Sequence, residues 1–168
     1  AKYIYCPNMA PDCVPANPGY TVSENPIAAN NSININLMDL VSDMDGCIDC
    51  STFQITQQPL AADAPLSTSC TGLGDLINPK AGCTTCTTCI VTYTPGVGAD
   101  FCGTDSFKFK VSDDKGAERE CEVFITVNPV NERPFCVPGP ALDPMLQGTQ
   151  VARDFRPYVD DPDNGPDG

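Results

Sequence analysis

The sequence predicts an all-β chain, a Greek-key β-sandwich stapled by disulfides. Three observations carry this reading. Apolar and polar residues alternate over short runs, and helical spacing is absent. Thirteen Gly and 17 Pro among 168 residues supply many turns and leave little room for a long helix. Eleven Cys point to an oxidising, extracellular or cell-surface setting with a disulfide framework.

The charge balance narrows the function classes. Nine Lys and Arg against 22 Asp and Glu leave a net charge of −13. Nucleic acid and anionic membrane surfaces both require a basic face, so no nucleic-acid partner is expected. Clustered carboxylates suit cations instead. There is no His and no Trp. The commonest general base and zinc ligand is therefore missing, and no enzymatic activity is expected. No apolar run approaches the roughly 18 residues of a membrane span. The opening Ala1–Cys6 has no apolar signal core, which fits a processed N-terminus or a section of a longer chain.

Internal repetition sets the organisation. Cys13-Val14-Pro15 returns as Cys136-Val137-Pro138, 123 residues on, each after an Asn-x-x-Pro step at Asn8 and Asn131. Val41-Ser42-Asp43-Met44-Asp45-Gly46 is echoed by Val159-Asp160-Asp161-Pro162-Asp163-Asn164-Gly165, 118 residues on. Residues 1–12 then read as the tail of a preceding unit or an N-terminal arm, 13–131 as a complete sandwich. Residues 132–168 read as a linker and the opening strand of a following unit, or a strand lent to another subunit.

In chain order, strands are expected near 19–23, 32–38, 51–57 and 89–94. The clearest signal follows. Phe107, Phe109 and Val111 alternate with Lys108 and Lys110, and Asp113-Asp114-Lys115-Gly116 makes a turn. Cys121, Val123, Ile125 and Val127 then alternate with Glu122, Phe124 and Thr126, completing a hairpin with one buried face. Seven or so short strands in such a length favour a Greek-key sandwich over a closed barrel. Ile33, Ile35 and Leu37 align with Val151, Arg153 and Phe155, the expected opening strand of the next unit.

The stretch Gly103 to Gly116, with Val123 to Pro134, resembles the end of a cadherin-like, Ig-like tandem repeat of extracellular adhesins and surface filaments. Tyr20 to Asn25 and Val41 to Gly46 are similar to the opening of such a repeat. The likeness covers 17–134 and is weakest from Cys70 to Cys89, which reads as an insertion. It implies calcium at the junctions between repeats, in keeping with the taste of hard cations for oxygen ligands. By that analogy Glu24, Asn131 and Glu132 share a cation with Asp161 and Asp163, while Asp43, Asp45 and Asp113 face the preceding junction. Two departures weaken the upstream site or remove it: Met9 stands where Glu132 stands downstream, and Pro129 replaces an acidic linker residue. The same Asp and Asn residues also serve as turn formers without any metal.

Cys47-x-x-Cys50 and Cys83-x-x-Cys86-x-x-Cys89 suggest paired zinc knuckles. The gap between them exceeds zinc-ribbon spacing, and no helix opens at either pair as a redox motif requires. Disulfides are the expected use, with the inward-facing Cys121 bridged in the core. Asn30-Asn31-Ser32 is an N-glycosylation acceptor at Asn30, so attached glycan is one expectation. The functional expectation is a structural module of an extracellular filament or stalk, joined head-to-tail to neighbouring copies or repeats. The competing one is an adhesin module binding a glycan or protein.

Overall fold

The computed structural model describes residues 7–24, 31–71, 86–96, 101–139, 147–148, 150 and 152–161. In chain order the strands are β1 (Asp12–Cys13), β2 (Gly19–Ser23), β3 (Ile33–Asn36), β4 (Val41–Ser42), β5 (Ile48–Gln57) and β6 (Ser69–Thr71). They continue with β7 (Thr88–Tyr93), β8 (Gly103–Asp113), β9 (Glu118–Asn128), β10 (Phe135–Cys136) and β11 (Val159–Asp160). Two 3₁₀ turns, Leu37–Leu40 and Arg156–Tyr158, are the helical elements among the described residues.

The hairpin dominates. β8 and β9 pair without a break from Gly103↔Val127 to Ser112↔Glu118. Gly116 takes a positive φ of 84° in the connecting turn, a conformation that costs a side chain-bearing residue dearly. β2 lies parallel to β9 and β5 antiparallel to β8, giving a four-stranded sheet in the order β2-β9-β8-β5. A second sheet runs β3-β7-β6.

One core lies between them. Phe107, Phe109, Val111, Val123, Ile125 and Val127 from the larger sheet share it with Ile35, Val91 and Tyr93 from the smaller. All are essentially inaccessible, whereas Phe124 on the opposite face of β9 is exposed. This is the period-two alternation realised as a sandwich.

The strand expected over 32–38 stops at Asn36. Its Oδ1 accepts from the Met38 amide and turns the chain into the 3₁₀ segment. β6 lies inside the apparent insertion and pairs with β7 through Cys70↔Cys89, so that segment extends the smaller sheet. The expected strand from Val151 to Phe155 needs correction: Val151 lies outside the described residues, and 152–155 carry no strand. Asp154 instead accepts from the Arg156 amide and guanidinium, bending the chain locally, and Pro157 has no N–H to give to a ladder. The strand of this region is β11, which pairs with β10.

Disulfides join Cys13 to Cys121, Cys50 to Cys86 and Cys70 to Cys89. Cys47 is disulfide-bonded as well. With Cys47, Cys50, Cys86 and Cys89 so engaged, these residues have no thiolates to offer zinc. Cys102 and Cys136 are free and exposed.

The sequence repetition has a structural counterpart. β1 pairs with β4 through Cys13↔Val41, and the Val14 amide donates to the Leu40 carbonyl at 2.8 Å. β10 pairs with β11 through Cys136↔Val159, and the Val137 amide donates to the Tyr158 carbonyl at 3.0 Å. A 3₁₀ turn precedes the second strand in both ribbons.

Candidate functional site

Three segments meet at one end of the sandwich: the arm at Asn8 and Met9, the loop Asp43–Cys47 between β4 and β5, and the β8–β9 turn. The loop folds because Asp43 Oδ1 accepts from the amides of Asp45, at 3.1 Å, and Gly46, at 3.0 Å. Such Asx geometry is the reason Asp opens turns. The two loops are then tied reciprocally. The Cys47 amide donates to Asp114 Oδ1 at 3.3 Å, and the Asp114 amide donates to the Cys47 carbonyl at 3.1 Å.

Asp113 is the buried hub. Its Oδ1 accepts from the Lys115 and Ala117 amides, both at 2.8 Å, and its Oδ2 from Asn8 Nδ2 at 2.5 Å. Burial pushes its pKa up, but these hydrogen bonds outweigh it and hold the carboxyl below the usual carboxylate range. Asn8 Oδ1 faces the other way and accepts from Lys115 Nζ at 2.7 Å. The same ammonium donates to the Asp45 carbonyl at 3.3 Å and lies 3.9 Å from Asp45 Oδ2. The Met9 amide donates to Asp45 at 3.2 Å, closing the arm onto the corner.

Asp43 Oδ2 has no hydrogen-bond partner among the described residues although it is buried. It faces Gly46 beside Asp114 Oδ1; a Cβ on Gly46 would stand 2.4 Å from the first and 2.6 Å from the second. Gly46 thus leaves the space in which two carboxylates converge. Among the described residues, no group of three or more His, Cys, Asp and Glu is placed to hold a metal ion as the chain stands. The positive charge at this corner is the Lys115 ammonium.

Asp43, Asp45 and Asp113, which the resemblance sends to the preceding junction, are brought together here. Asn8, Gly46, Asp114 and Lys115 complete the corner without having been nominated. Asn8 had a signal in the sequence, since it stands in the repeat where the linker residue Asn131 stands downstream. At the opposite end Glu24 is buried and accepts from the Val130 amide at 2.5 Å, while its own amide donates to the Asn128 carbonyl at 2.8 Å. Glu24, which the resemblance nominates as a cation ligand, here braces the backbone at Asn128 and Val130. Exposed Asn131 donates to the Glu132 carbonyl. Asp161 follows β11 and is half-buried, while Asp163 and the glycosylation acceptor Asn30 lie outside the described residues.

A second polar centre was not anticipated. Asp105, buried at the start of β8, accepts from the Leu60 and Ala61 amides at 3.0 and 2.9 Å and from the Tyr93 hydroxyl at 3.0 Å. Burial and the adjacent carboxylate push the Tyr93 phenol far above its ordinary value. This is a clamp on the loop after β5.

The fold agrees with comparison to known proteins. Residues 8–126 match the bacterial Ig domain. The chain belongs to that family. Its Ig domain is thus recognised from Asn8 onward, so the arm that closes the acidic corner falls inside the matched span. Two solved structures of an endo-fucoidan hydrolase from glycoside hydrolase family 107 are similar in part. A point variant shows 18% identity over 76% of this chain and 15% of its own, with a TM-score of 0.43. The other shows 19% identity over 75% of this chain and 16% of its own, with a TM-score of 0.42. The Ig domain thus spans only a small part of those proteins, and a likeness at this level carries no argument about activity. Comparison with curated proteins gives no match.

Proposed function

We propose that the chain is a structural module of an extracellular or surface array of Ig-like units, joined head-to-tail and without catalytic activity. The duplicated ribbon carries this reading: β10–β11 repeats β1–β4 in pairing and in its Val137–Tyr158 hydrogen bond. A ribbon that opens one sandwich and then recurs 123 residues later is the start of a second unit of the same build. Disulfides within the core suit service outside the cell. Electron microscopy of the assembled protein tests the array. Elongated rods of regularly spaced domains are expected, and isolated compact particles with a single domain overturn it.

Calcium stiffens the junctions in this proposal. At the arm, Asp43 Oδ2 and Asp114 Oδ1, with Asp45, Asp113 and Asn8 nearby, would supply hard oxygen ligands once the Lys115 ammonium swings away. At the linker, Glu24, Asn131, Glu132, Asp161 and Asp163 would do so. The unpartnered, buried Asp43 oxygen supports the first of these. Calorimetry should detect binding at roughly 10⁻⁴–10⁻³ M, the range of extracellular modules. No heat at millimolar calcium reduces these residues to turn formers.

A further inference from the structure

Resting on the array reading above, we propose that Cys136 is a half-cystine poised to bond a cysteine-bearing strand of a second Ig unit, docking on the β10–β11 ribbon. The internal comparison makes the case. Cys13 and Cys136 occupy the same place in two equivalent ribbons, one residue before the amide that bonds across the ribbon. In the first ribbon a long strand covers that place. β1 packs against β9, Cys13 is bonded to Cys121, and the Arg119 guanidinium donates to the Pro11 carbonyl at 2.7 Å. In the second ribbon Cys136 is free and exposed, and Phe135 beside it and Val159 opposite it are 49% and 50% exposed. Val41, the counterpart of Val159, is 8% exposed in its covered ribbon. The covered ribbon therefore identifies the occupant of the open one: a strand like Glu118–Asn128, with cysteine among the residues of its inward face.

The bond forms by exchange. The Cys136 thiolate attacks the partner cysteine, held as a mixed disulfide with a small thiol; the new S–S bond forms as the old one breaks, and the small thiol leaves with the electron pair. No further oxidant is needed.

The full chain provides its own control, because Cys102 is equally free and exposed. The probe is a synthetic peptide of the sequence Glu118 to Asn128, its cysteine activated as a 2-thiopyridyl disulfide. The expected result is one peptide per chain, mapped by mass spectrometry to Cys136. Cys136 should react about tenfold faster than Cys102, since docking raises the local thiol concentration. A scrambled peptide with the same cysteine should lose that preference, and Val159→Asp should lose it while leaving the thiol in place. Equal labelling of Cys102 and Cys136, or equal rates for the scrambled peptide, overturns the proposal. So does a chain that closes Cys136–Cys136 dimers in preference to taking the peptide. Rods seen by microscopy beside unselective labelling would leave the array standing and remove only the docked strand.

Discussion

Asp113 shows how one residue links the acidic corner to stability. Its carboxyl is held below its usual value of 3.8, so the folded state prefers it ionised. That contribution is fully present above 3.8 and is lost as pH falls through the lower folded value. Asp113→Asn should therefore lower the thermal midpoint at neutral pH and flatten its fall in acid, measured by calorimetry across the acid range. Equal acid slopes in the two proteins would place the proton uptake elsewhere. Lys115 gives a second prediction at this scale. Its ammonium supplies the cation for Asn8 Oδ1 and the Asp45 carbonyl, so Lys115→Met leaves those oxygens short of positive charge. Calcium should then raise the midpoint of the variant more than that of the parent. An unchanged calcium response would show that the ammonium does not compete with the ion.

At the scale of elements, the β8–β9 hairpin and its covering strand hold the sandwich together. Phe109 is fully buried and stacks at a tilt on Phe53 of β5, with ring centroids 6.0 Å apart. Phe109→Ala should cost about 3–5 kcal/mol in denaturant unfolding, through lost transfer energy and the cavity left behind. A loss near zero would mean the core collapses around the gap. The Cys13–Cys121 bridge spans 108 residues and ties the arm to β9. Cys13→Ser with Cys121→Ser should cost roughly 2–5 kcal/mol, since a long loop is released in the unfolded chain.

At the scale of the whole molecule, the second ribbon contributes no residue to the sandwich core among the described residues. β10 and β11 pair with one another, while the core is drawn from β2 through β9 with the 3₁₀ segment and β4. A two-stranded ribbon buries little apolar area and is marginal alone. Deleting 132–168 should therefore leave the first unit's thermal midpoint within a few degrees of the full chain, and should abolish assembly into rods. A large fall in midpoint would show that the ribbon is part of the first unit's fold.

The sequence by itself determined the all-β class, the buried faces of β8 and β9, the turn at Gly116 and the repeat. Each of these depends on neighbours close in the chain or on literal recurrence: alternation reads out a strand's faces, and Asp-Lys-Gly reads out a turn. The resemblance also grouped Asp43, Asp45 and Asp113, which lie at one corner of the sandwich. Only the tertiary structure decided the disulfide partners, because connectivity depends on which strands lie side by side across tens of residues. It alone showed that Asn8 and Lys115 close the corner and that Glu24 braces the linker, since such contacts join segments more than a hundred residues apart. And it alone separated Cys13 from Cys136. The two stand in the same local sequence, but one is covered by a strand and the other is open, a difference that belongs to packing.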